Sequence, residues 1–243
     1  MYREEETNIF NHFCNHFKTK CDTFTKILEV FEETLKSTKY KTDEYDKYVI
    51  MLLGCLNLKC FVSVFDRLSK GYWSDSEALI KKACETFLAQ VFFYNNLEGA
   101  KDYCFNNIKL NKLIGNRHQL AKKLDELNSE QKLFPTDMED FFKTFLYGTV
   151  YRESNRFAHM DFDVVNCEIS GSRNNNGGLS SDLIIGPKFD NERMETTLNR
   201  LIFLSMFSVS FIENISGIHM SKKHQEVFKE FLNLCTNLNE KFL

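Results

Sequence analysis

Proline and glycine are scarce, with 2 Pro and 10 Gly in 243 residues. These residues normally punctuate an all-β chain, so their scarcity removes the turn chemistry that many short strands require and lets helices run long. No Cys-x-x-Cys pair occurs among the 8 Cys, which are scattered, several of them inside apolar helical stripes. That excludes a zinc ribbon and a small disulfide scaffold and fits reduced, mostly buried thiols. No strong charge of one sign is present either: the net charge is −3 and the pI near 6.1, so no global basic field drives sequence-independent nucleic-acid binding. The charged start, Met1-Tyr-Arg-Glu-Glu-Glu, lacks the apolar core of a signal peptide, and no charge-free apolar run reaches the ~18 residues of a membrane span. The expectation is a cytoplasmic protein with no membrane partner.

What is abundant is apolar and aromatic: 43% of residues are hydrophobic and 24 are Phe. No Pro/Ser-rich linker or internal repeat divides the chain, so residues 1–243 are expected to form one domain. Apolar residues recur at three- and four-residue steps from Glu4 to Leu35, predicting a first helix. Asp43 to Ser69 predicts a second, apolar on all sides and therefore central. Gly71 ends it, and Ser74 with Glu77 reads as a capping box opening a third helix that reaches about Tyr94. Leu97 to Leu127 predicts one or two shorter helices broken near Gly115. Thr136 with Glu139 reads as a second capping box, opening a helix that includes Phe141, Phe142, Phe145 and Leu146 and continues through His159. Asn191 to about Ser216 and Ser221 to Phe242 predict the last two. Between Phe162 and Pro187 the period shifts towards two around an Asn- and Gly-rich turn, predicting a small β-hairpin insertion. The expected fold is therefore all-α, a bundle of about six or seven helices with that insertion.

The polar segment Tyr151-Arg-Glu-Ser-Asn-Arg-Phe-Ala-His159 concentrates the candidate chemistry. On a helix, Arg152, Arg156 and His159 share a face with Asn155 close by, so guanidinium and imidazole groups converge as an anion such as phosphate requires. A neutral imidazole can take a proton from an attacking hydroxyl while an Arg stabilises phosphoryl charge, a sufficient minimal set for cutting RNA without metal. The bland alternative gives the same residues caps and ion pairs near a helix C-terminus. Glu85 reads either as a partner of Lys81 and Lys82 within its helix or as a carboxylate orienting Arg152 or His159 from a facing helix.

Other constellations are weaker. His12 and His16 lie four apart, but the Glu of His-Glu-x-x-His is missing, so no metal site is expected. Asn116-Arg117-His118 in a Lys-rich stretch is the best local basic patch for RNA. No phosphate-binding glycine loop or Gly-x-Ser-x-Gly elbow occurs, and no cofactor is expected.

Arg152 followed after six residues by His159 resembles the Arg-x4-6-His signature of the HEPN superfamily, helical proteins many of which are ribonucleases of toxin–antitoxin, abortive-infection and other defence systems. The Tyr-Arg-x-Ser-x-x-x-Ala-His context also resembles a bacterial family of unknown function, whose upstream small-residue stretch ending in Glu is similar to Ala78–Glu85. The resemblance spans about Asp43 to Asp161 plus the helix from Asn191. It implies a metal-independent ribonuclease with Arg152 and His159 as the active pair, contributed across a cleft by both subunits of a homodimer. Glu85, Tyr151, Ser154, Asn155 and Arg156 would bind or orient. RNA and an antitoxin-like protein are the implied partners. The alternative is a non-catalytic helical interaction or scaffold protein.

Overall fold

The computed structural model describes residues 2–41, 43–106, 108–131, 140–159, 169–173, 179–183, 187–217 and 222–242. As the composition requires, the fold is all-α. The first stretch is two helices, α1 (Arg3–His16) and α2 (Lys18–Ser37), because the backbone leaves helical geometry at Phe17 (φ −104°, ψ 28°). Phe13 and Phe17 on either side of that break are both buried, their rings 5.1 Å apart edge to face.

Next come α3 (Tyr45–Ser69) and α4 (Trp73–Phe93), packed side by side and joined through Gly71, which adopts φ +92°. A Cβ there would lie 2.8 Å from the Lys188 nitrogen, and the Gly71 carbonyl accepts from that N–H at 3.2 Å. Glycine is required on both counts.

The expected capping box does not form. Helix α4 begins at Trp73, one residue before Ser74, its N-terminus has no side-chain cap, and Glu77 turns into the core. The short helices α5 (Leu97–Phe105), α6 (Leu110–Leu113) and α7 (Arg117–Gln131) follow, with Gly115 at φ +57° separating the last two as its position in the sequence predicts. Thr136 and Glu139, the second expected capping box, lie outside the described residues.

From Phe142 to Tyr151 the chain is π-helical, then tightens into α8 (Arg152–Ala158) without interruption. Asp125 of α7 caps the start of this π-helical segment, accepting the Phe142 and Lys143 N–H groups at 2.7 and 2.9 Å. The backbones of β1 (Ile169–Arg173) and β2 (Leu179–Leu183) pair antiparallel, Ile169 opposite Leu183. The rest of the expected insertion, 162–168, 174–178 and 184–186, lies outside the described residues.

The last two helices, α9 (Asn191–Ser216) and α10 (Lys222–Phe242), match the predicted spans to within a residue. Asp190 caps α9 by accepting the Arg193 N–H at 3.1 Å. Helix α9 packs on α2, α3 and α4. At Gly54 α3 comes so close that an added Cβ would stand 2.7 Å from Ile212 Cδ1 of α9 and 2.8 Å from Leu35 Cδ2 of α2.

Among the described residues two helices, α3 and α9, are long and apolar enough to cross a membrane by length and composition when a window may hold up to two charges, although neither contains a charge-free run of that length. In α9 78% of the apolar window is buried against its neighbours, as in a core helix. In α3 only 44% is, which corrects its expected central position: one face is core and the opposite face is open.

Candidate functional site

Helix α8 packs along α4, and this contact decides which side chains of the polar segment face out. Ser154 faces in. It is fully buried and donates to Glu77 Oε2 at 2.6 Å. Glu77 Oε1 accepts from Thr197 at 2.7 Å and from Arg200 Nη1 at 2.9 Å, so one buried carboxylate joins α4, α8 and α9. Burying a charge is costly unless it is paired and hydrogen-bonded, and here three donors supply that. Beside this network Arg193 lies over the Trp73 ring at 4.4 Å, and Phe157 meets the same ring edge-on at 5.4 Å.

Arg152 and His159 face out. Both are exposed, and seven residues on a helix return to nearly the same face about 10 Å along the axis. Among the described residues Arg152 has no ion-pair partner. His159 is the C-cap, its N–H donating to the Asn155 carbonyl at 3.1 Å. Lys81 of α4 brings its ammonium to 3.4 Å from His159 Nε2. Lysine only donates, so a hydrogen bond at this contact uses the Nε2 lone pair of the imidazole. Arg156 turns instead to Glu153, 3.5 Å away, in a half-exposed pair of small energetic weight.

Glu85, one turn beyond Lys81, has neither of its expected partners. It accepts from the Tyr151 hydroxyl at 3.2 Å and lies 3.8 Å from Arg117 Nη2. Burial, and then the Glu85 carboxylate, push the Tyr151 phenol above its ordinary range, so it stays protonated and donates. Tyr151 stacks on Tyr147 at 5.4 Å, and His118 meets the other ring edge-on at 5.2 Å. Tyr147 and Tyr151 belong to the π-helical segment, whose wider turn is otherwise seen mostly as single-turn bulges, often at functional sites.

The structure therefore divides the candidates. Arg152, His159 and the unforeseen Lys81 share an outer surface of α4 and α8. Tyr151 and Glu85 form a neighbouring cluster with Arg117, Tyr147 and His118. Ser154 belongs to the core. Lys81 and Glu85 lie four apart, one face of α4, which is the signal that would have placed Lys81 at the site. Glu77 was hidden by its capping-box spacing, and Arg200 by its distance in sequence. Elsewhere, His12 and His16 stack at 5.9 Å and both meet the Phe189 ring. Compared with protein-family models, curated proteins and solved structures, the chain matches none.

Proposed function

We propose that this chain is a HEPN-like RNA-cleaving or RNA-binding protein of bacterial stress or phage-defence type, acting in the cytoplasm as a homodimer. The observation that carries the reading is the exposed pair of Arg152 and His159 with the Lys81 ammonium 3.4 Å from the imidazole. Three nitrogen-bearing side chains on one surface suit a phosphodiester, and no metal or cofactor is needed.

In the proposed step His159 takes the proton of a ribose 2′-hydroxyl, whose oxygen attacks the adjacent phosphorus. The bond to the 5′-oxygen breaks, that oxygen leaves with a proton drawn from solvent water, and a 2′,3′-cyclic phosphate remains. Arg152 stabilises the charge on the non-bridging oxygens, and the Lys81 ammonium, 3.4 Å from His159 Nε2, turns from that nitrogen to the phosphate so that the Nε2 lone pair is free to take the proton. One domain over 1–243, a β-hairpin insertion near 162–187 and an antitoxin-like protein partner belong to the same reading.

The expected outcome is RNA cleavage in the presence of a chelator, ending in 2′,3′-cyclic phosphate. His159→Ala and Arg152→Ala should each lose on the order of 100-fold or more in rate with an unchanged melting temperature. Wild-type protein that neither cuts nor binds RNA would sink the proposal.

A second reading, a non-catalytic helical interaction protein, is favoured by one observation. Ser154 and Tyr151 of the same segment tie α8 and the π-helical segment to α4 through Glu77 and Glu85. It predicts inert protein and a lower melting temperature for His159→Ala.

A further inference from the structure

A helix that is apolar on all sides is normally buried on all sides. Helix α3 is not. Its core face is formed by residues such as Ile50, Leu53, Asn57, Phe61 and Val64, and the face directly opposite carries Tyr48, Leu52, Leu56 and Val62, which are 37%, 42%, 53% and 50% exposed. Along this outer face Tyr48, Leu52, Cys55, Lys59, Val62 and Asp66 follow one another at alternating steps of four and three. That is the spacing of a coiled-coil seam, here running roughly 27 Å. Tyr40, whose ring lies 5.6 Å from Tyr48, and Phe105, which packs on Tyr45, extend the open apolar surface at its N-terminal end. Together these side chains leave an open apolar strip along α3, and a strip of this kind marks an interaction site where it is contiguous.

The charges select the occupant. On this side the N-terminal end of α3 carries Glu44, bound to Lys47 at 2.6 Å within its own chain, and the C-terminal end carries Lys70, bound to Asp66 at 2.7 Å, so each end presents a charge pair that the opposite end of a second copy can meet in reverse order. A second copy running antiparallel, with the twofold axis level with residue 57, sets Glu44 against the partner's Lys70. It also sets the Tyr48 hydroxyl against the partner's Asp66 and Leu52 against the partner's Val62. A parallel copy would instead stack Lys59 on Lys59 and Asp66 on Asp66. The antiparallel arrangement separates the two Lys59 residues by about 6 Å along the axis, with their stems lying over apolar neighbours. We propose that the outer face of α3 is an isologous, antiparallel interface with a second copy of this chain. The proposal is independent of any RNA chemistry at Arg152 and His159.

The full chain is expected to sediment as a dimer. Leu56→Glu and Val62→Lys, each on the open face and therefore leaving the circular-dichroism spectrum and melting of the monomer intact, should raise the dissociation constant on the order of 100-fold. In a Cys55→Ser background, a mixture of Leu52→Cys and Val62→Cys chains should form an interchain disulfide that neither variant forms alone. Wild-type chain that stays monomeric, or a dimer unchanged by both surface variants, overturns the proposal. So does cross-linking by either single variant alone, or none in the mixture. Monomer that floats with phosphatidylcholine vesicles and loses this in Leu56→Glu assigns the face to a lipid surface instead.

Discussion

At the scale of single residues, neighbours in one short motif have opposite fates. Ser154 lies between Arg152 and His159 in sequence, yet its hydroxyl is buried against Glu77 while the other two face solvent. Helical geometry dictates this, since two residues beyond Arg152 is a turn of about 200°. Ser154→Ala is accordingly expected to lower the unfolding free energy by about 1–3 kcal/mol, measured by urea denaturation, because the buried Glu77 carboxyl loses one of its three donors. The folded fraction should retain whatever RNA binding or cleavage the wild type has. An unchanged denaturation midpoint would mean that the hydroxyl is not holding the carboxylate. Arg152, His159 and Arg156 were legible as a polar group from their spacing alone. Lys81 was not read into the site because it enters from another helix, and Glu85 was read towards the wrong partners because α7, which delivers Arg117, could not be placed from periodicity.

At the scale of elements, the predicted helices exist, and the differences lie at their ends and joints. One continuous first helix became two at Phe17, where the backbone leaves helical geometry while Phe13 and Phe17, four apart and so on one face, both stay buried. The π-helical turns of Phe142–Tyr151 have no counterpart in a 3.6-residue reading, and they set the stacking of Tyr147 on Tyr151. The α1 helix is tied to the start of α4 by the Tyr72 hydroxyl, which donates to Glu6 at 2.7 Å. That hydrogen bond, followed by burial, pushes the phenol up to about 12 from an ordinary 10.0. Because the folded pKa is the higher one, the stability contributed by this contact is present in full below about pH 10 and is lost as pH rises through about 12. Tyr72→Phe is therefore expected to lose less stability than wild type between pH 9 and pH 11, judged by denaturant midpoints at the two values. Equal losses would remove the link between this phenol and alkaline unfolding.

At the scale of the whole molecule, α9 is the organising element, with α2, α3 and α4 on it, and α10 closing against α2. Val227 and Phe231 of α10 are buried, and Phe231 meets the Phe203 ring at 5.2 Å and the Phe207 ring at 6.3 Å. The fully buried His224 pairs with Glu213 of α9, which also accepts from Thr34 at 3.3 Å. Removing one partner of a buried pair costs more than the pair contributes, because the remaining group stays desolvated. His224→Ala is thus expected to cost about 3–5 kcal/mol and to speed hydrogen exchange in 222–232 before the rest of the chain. Uniform exchange across α9 and α10 would argue against a separable docking of α10. The sequence by itself determined the all-α class, the spans of the long helices and the polar segment, because apolar periodicity and sparse Pro and Gly act locally along the chain. Only the tertiary structure decided that Glu77 and Ser154 are core, that Lys81 joins His159, and that α3 keeps one apolar face open. Burial and pairing depend on which helix arrives from far along the chain, and a three-to-four-residue period carries no record of that.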